Sequence, residues 1–190
     1  MHTLRERFTT RIALLARPRA PEPLPAKLDR RRVYVVPTRF GLFFTALLFA
    51  MLLGALNYNN NPALLLALLL GATGLASLIA AHLQLSGLRV DALSAEPVAA
   101  GTSLQVHVAL SAGDARARRG LQLRAADVQT TVPALTSEAV VAALEVETHQ
   151  RGWLDLGRLR ISSTQPLGLA FAWSWVWPDA HLLVYPTPEL

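Results

Sequence analysis

No cysteine occurs in the 190 residues, which excludes a disulfide framework, a thiolate metal site and a cysteine nucleophile. The absence also suits a reducing compartment. Charge is scarce: 16% of residues are charged and 52% are hydrophobic, against roughly 25% and 45–50% in average soluble domains. Catalytic signatures are missing too. The chain has no phosphate-cradling GxxxxGK(S/T), no GxGxxG, no GxSxG elbow, no HExxH and no aspartate-rich metal loop. Its five histidines (His2, His82, His107, His149, His181) lie far apart, with no ligand spacing. The expectation is a protein without metal or cofactor that is not an enzyme.

What is present is unevenly placed. Residues 1–39 hold ten basic groups against three acids, a net of +7, which leaves −2 for the rest of a chain whose total is +5. Within that stretch, residues 3–17 have some helical character, with Phe8, Ile12 and Leu15 near one face. Pro18, Pro21, Pro23 and Pro25 then break any helix, so residues 18–32 read as an extended, solvated linker. The arm as a whole is expected to be cytoplasmic. It suits either a disordered tail or attraction to anionic headgroups.

Residues 40–56 (FGLFFTALLFAMLLGAL) carry no charge. At about 1.5 Å per residue they reach about 26 Å, close to the ~30 Å hydrocarbon core. Residues 62–81 (PALLLALLLGATGLASLIAA) form a second uncharged run of 20. Residues 57–61 between them (NYNNN) suit a tight turn, with Tyr58 at the interface, Asn61 as helix cap and Pro62 in the first turn. The expectation is a hairpin of two transmembrane helices. Small residues recur every fourth position at Ala46, Ala50 and Gly54 and at Ala63, Ala67 and Gly71. Such stripes let helices approach closely in lipid, either within the hairpin or between copies in an oligomer. With all the flanking basic residues before the first run and none in the turn, the positive-inside rule puts both termini in the cytoplasm. No ionisable residue lies inside either run, so nothing supports an ion pathway.

From residue 86 the pattern changes to alternation. Residues 88–92, 104–110, 121–124, 139–148, 159–162, 171–176 and 182–185 read as about seven short strands. Glycine, proline and aspartate turns separate them. Residues 86–190 are expected to form an all-β, immunoglobulin-like sandwich on the cytoplasmic side. Phe171, Trp173, Trp175 and Trp177 occupy alternate positions and share one side of a strand, opposite Ala170, Ala172, Ser174 and Val176. The aromatic stripe suits either the core or a surface for a partner or the membrane. No basic residue interrupts it, so nucleic acid is not an expected partner. Glu145 and Glu147 share a strand face, where alternation makes solvent the default.

Several stretches together resemble the N-terminal half of a bacterial membrane protein family, that of domain of unknown function 58. They are RVYVVPTRFG at 32–41, LGALNYNNN at 53–61, Arg151-Gly152, Ser163 with PLGL at 166–169, AWSW at 172–175, PDA at 178–180 and LVYP at 183–186. The likeness covers about 32–188; members continue past the Tyr-Pro segment into a conserved cytoplasmic region, which the resemblance leads one to expect is missing here. The resemblance implies an inner-membrane protein working with a MoxR-type AAA+ ATPase in protein assembly, with no settled enzymatic activity. A membrane-anchored adaptor is the leading expectation. Its rival is a membrane-embedded enzyme acting on lipid or envelope material, which needs Glu145, Glu147 and His149 to converge with a hydroxyl in a pocket.

Overall fold

The computed structural model describes residues 20–136 and 138–186; the stretch 3–17 lies outside them. Thr38 has extended backbone, and its hydroxyl accepts a hydrogen bond from the Gly41 N–H at 2.9 Å, which starts helix α1 (Arg39–Asn57). Asn59 turns the chain in the left-handed region, at φ 48. Asn60 then caps helix α2 (Asn61–Leu85), accepting from the Ala63 N–H at 3.1 Å. The cap is thus one residue earlier than the expected Asn61, which is already helical. Both helices are long and apolar enough to cross a membrane, reaching about 28 and 37 Å at 1.5 Å per residue. Their large side chains are bare: Phe43 is 65% exposed, Phe49 60% and Leu65 70%. The hydroxyls inside the helices satisfy themselves, Thr45 donating to Gly41 O and Thr73 to Leu69 O.

A β-rich region of three sheets follows. The first orders β1 (Ala26–Lys27), β3 (Leu88–Ala95), β5 (Ser103–Ala112) and β8 (Val140–Glu147). The second orders β2 (Tyr34–Pro37), β11 (Ala170–Val176), β10 (Leu159–Ser163), β6 (Leu121–Ala125) and β7 (Val128–Thr131). A small third sheet orders β4 (Val98–Ala99), β12 (His181–Tyr185) and β9 (Gly152–Asp155), with β4 and β12 parallel. Every other strand pair described is antiparallel.

The alternation read from the sequence decides which faces meet. On β5, Leu104, Val106, Val108 and Leu110 are fully buried, while Gln105 and His107 face solvent. They share one core with Leu121 and Leu123 of β6, Leu159 and Ile161 of β10, and Ala170 and Ala172 of β11. Ala81 and Leu85 of α2 belong to the same buried cluster. That capture explains why α2 continues four residues past the apolar run ending at Ala81. Leu85 is held by the β core rather than by lipid.

The Pro-rich segment departs from the expected solvated linker. Glu22 forms a bridge beside Pro178, donating its N–H to Trp177 O at 2.7 Å and accepting from Asp179 N–H at 2.9 Å. Its carboxylate takes both ends of the Arg32 guanidinium at 2.7 and 2.8 Å, and that partner holds Arg32 above its ordinary pKa. Leu28 is fully buried, and β1 and β2 add to edges of the two larger sheets. Residues 22–37 are therefore part of the β-rich region. Edge strands tolerate proline, as at Pro37 at the end of β2.

Candidate functional site

Strand β11 buries its small residues and displays its large ones. Ala170, Ala172, Ser174 and Val176 are within 1% of full burial, and the Ser174 hydroxyl donates to Arg32 O at 2.9 Å. The last turns of α2 run against β11 and β10, and small side chains make room for them. The aromatic set consequently lies on the opposite, outward face. Trp173 is covered there by stacking on Tyr34 of β2 at 5.8 Å and on Phe171 at 5.5 Å. Trp175 and Trp177 are half-buried.

The neighbouring strand supplies arginines to this face. Register sets Arg160 beside Trp175 on one side and Arg124 on the other. The Arg160 guanidinium lies 6.0 Å from the Phe171 ring and 5.9 Å from the Trp175 ring, and Arg158 sits 4.5 Å over Trp177. Contacts of this kind draw a cation to an aromatic face. Burial, followed by repulsion from Arg124, pushes the Arg160 pKa below its ordinary value. Among the described residues no carboxylate pairs with Arg160. The Nε1 of Trp173 and Nε1 of Trp177 are buried without acceptors. The face is a donor-rich, aromatic strip.

Compared with family models, curated proteins and solved structures, the chain has no match in any of the three. Its own geometry therefore carries the functional reading. Sequence inspection found the aromatic stripe but missed Arg158 and Arg160, which reach it only through strand pairing. Their alternate positions, Arg158 just before β10 and Arg160 within it, were the available signal.

A second group joins helices to sheets. Arg118 is 1% exposed. It donates to Gln84 O at 3.0 Å and Ser86 O at 2.9 Å, the carbonyls at the end of α2, and to Asp114 at 2.6 Å. Gly87, at φ 83, turns the chain next to it into β3. At the other helix, the Thr38 N–H donates to Leu169 O at 2.9 Å and its hydroxyl to Gly168 O at 2.6 Å. The Leu169 carbonyl presses so close to Gly41 that no Cβ fits there. Both helices are thus bolted to the β-rich region. The hydrogen bond from Arg118 holds the Asp114 carboxyl below its usual pKa. A carboxyl made more acidic by folding stabilises the fold while ionised, in full above about pH 4, and that contribution is lost as pH falls through the lowered value. Asp114→Asn is expected to remove this component: thermal unfolding followed from pH 7 to 3 should show a shallower loss of stability than in the parent chain.

The small-residue stripes divide. Ala67 is buried and Ala63 and Gly71 half-buried on the α1-facing side of α2, whereas Ala46 and Ala50 are exposed on the outer side of α1 and Gly54 has open space at its Cβ position. Contact is made instead by Phe44 and Leu48 of α1 over Gly74 and Gly71: an added Cβ would stand 3.1 Å from Phe44 Cε1 and 3.4 Å from Leu48 Cδ2. Gly74→Leu is expected to wedge the helices apart at a cost of about 1–3 kcal/mol. Ala50→Leu should stay within about 0.5 kcal/mol, as read by thermal unfolding in detergent micelles.

The carboxylates singled out in the sequence lie apart from both groups. Glu145 and Glu147 are exposed on β8, and His149 approaches Glu147 only at 3.9 Å with both side chains about four-fifths exposed. His107 is exposed on β5. Among the described residues no three His, Asp or Glu side chains cluster as metal ligands.

Proposed function

We propose that the chain is a membrane-anchored scaffold that holds an immunoglobulin-like β-domain at the cytoplasmic face of a bacterial inner membrane. In this reading α1 and α2 span the bilayer as a hairpin, the asparagine turn lies outside, and both termini lie in the cytoplasm. The exposure of Phe43, Phe49 and Leu65 on uncharged helices supports a lipid surround, since so much continuous apolar surface is not left to water. The basic residues before α1 support the orientation.

The observation that carries the scaffold role is the double attachment at Arg118 and at Thr38 with Gly41. A domain fixed at both helix roots presents its surfaces at a constant height and angle to the membrane, which suits docking. The surface offered is the strip of Phe171, Trp175 and Trp177 with Arg160, while Trp173, 3% exposed, lies buried beneath it rather than on the surface the sequence suggested; aromatic and arginine side chains dominate binding energy at protein interfaces. The resemblance in sequence supports a MoxR-type AAA+ ATPase as the partner.

The test is site-directed photocrosslinking in native membranes, with p-benzoylphenylalanine in place of Trp177 or, as control, His107 on the opposite sheet. The scaffold reading predicts a discrete adduct from position 177, identified by mass as an AAA+ ATPase and lost on Arg160→Glu. Equal adducts from both positions, or none from 177, would contradict it.

A further inference from the structure

We infer that the β-domain makes a third contact with the bilayer through the turn at 164–169, which dips Leu167 to the boundary between headgroups and acyl chains. The inference rests on the reading of α1 and α2 as spanning helices.

The turn links β10 to β11, yet it is seated against α1. Thr38 holds its Gly168 and Leu169 carbonyls, and Leu169 lines the groove between the helices together with Phe44, Leu48, Leu75 and Leu78. Those four residues all belong to the uncharged apolar runs. The turn therefore reaches past the first residue of α1 to the level of its first full turn, where Gly41 touches Leu169. A loop fixed there must meet lipid if the helix does.

Its chemistry fits that position. Thr164, Gln165, Pro166, Leu167, Gly168 and Leu169 include no charged residue. Non-helical backbone tolerates an apolar surround only when its polar groups find partners within the protein. Here the Gly168 N–H donates to Thr164 O at 2.9 Å and the Gln165 N–H to the Ser163 hydroxyl at 3.1 Å, while Thr38 takes the Gly168 and Leu169 carbonyls. Pro166 has no N–H to satisfy. At the tip Leu167 is 50% exposed, and Phe40 at the start of α1 is 57% exposed. In water both would be bare apolar groups. Against a membrane both contribute to an apolar rim at the root of α1.

The occupant of that rim is thus the lipid surface, and its continuity with the lipid-facing side of α1 argues for it over a protein. The consequence is mechanical: the β2–β11 edge of the second sheet is seated on the bilayer as well as on the helices.

The absence of cysteine makes the test clean. Leu167→Cys, Leu47→Cys and Glu145→Cys variants of the full chain are labelled with an environment-sensitive fluorophore and reconstituted in phosphatidylcholine vesicles containing lipids that carry a doxyl quencher at a shallow or a deep acyl position. The Leu167 label is expected to emit blue-shifted light and to lose more fluorescence to the shallow quencher than to the deep one. The Leu47 label, midway along α1, should be quenched most by the deep one, and the Glu145 label by neither. If Leu167 behaves like Glu145 while Leu47 is quenched, the third contact is overturned and the spanning reading stands. If Leu47 also escapes quenching, both fail.

Discussion

Arg118→Ala is expected to lower the unfolding free energy of the full chain by about 2–4 kcal/mol, chiefly from two helix-end carbonyls left without their donor, since the third partner, Asp114, is about one-third exposed and can turn to solvent. The size follows from what the side chain leaves behind. Gln84 O and Ser86 O end helix α2 and take their hydrogen bonds from Arg118, and Asp114 takes a third at 2.6 Å. Each carbonyl left unsatisfied in a buried site costs about 1–3 kcal/mol. Lysine does not rescue the site, since a single ammonium lacks the planar fork that reaches two carbonyls and a carboxylate together. Arg119→Ala is the control: Arg119 is exposed one residue away, and its loss should cost under about 0.5 kcal/mol. Tryptophan fluorescence during chemical unfolding in micelles reads both. Equal effects of the two substitutions would remove Arg118 from its role as the bolt between the end of α2 and the loop joining β5 to β6.

Gly41→Val is expected to cost about 3 kcal/mol, the upper end for overpacking. Most overpacked side chains push against other side chains, which turn aside. A side chain at residue 41 meets the backbone carbonyl of Leu169, and that carbonyl is fixed by the Thr38 N–H. Either α1 moves or the turn at 164–169 lifts away from it. The second response exposes Thr38 and breaks its hydroxyl bond to Gly168, so limited proteolysis should cut near 164–169 in the variant and spare the parent. Unfolding in micelles gives the energetic value. Unchanged stability together with an uncut turn would contradict the close approach.

Much of this architecture was legible in the residues, for definite reasons. The helices were visible because a run of apolar residues on all sides has few other homes. The strands from 88 to 185 were visible where one face is buried and one wet, as along Leu104, Val106, Val108 and Leu110. Strands lacking that contrast were missed: β7 (VQTT) and β9 (GWLD) are intermediate or exposed throughout, and β1 and β4 have two residues each. Tyr34–Pro37 was hidden differently. It sits beside a helix start in a proline-rich stretch, and its partner is β11, more than 130 residues away along the chain. Local pattern carries no trace of such a pairing.

The candidate surface shows the same division. The period of two placed Phe171, Trp173, Trp175 and Trp177 on one side of their strand, and the structure has them there. Which side faces the core depended on α2 needing space over Ala170 and Ala172, a tertiary fact. Arg160 entered through register with Trp175. In the helices, four-residue spacing marked Ala46 and Ala50 as readily as Ala67, but only the crossing geometry decides which stripe meets its neighbour. Gly74 meets Phe44 because α1 faces that side of α2.

The account stands on the helices crossing a bilayer, so that the asparagine turn and the β-domain lie on opposite sides. Single cysteines at Tyr58, 81% exposed in the turn, and at Glu145 on β8 test this directly with a membrane-impermeant maleimide applied to intact cells. The prediction is labelling of Tyr58→Cys from outside and of Glu145→Cys only after lysis. Labelling of both from the same side would contradict the crossing, and the reverse pattern would contradict the cytoplasmic placement of the domain.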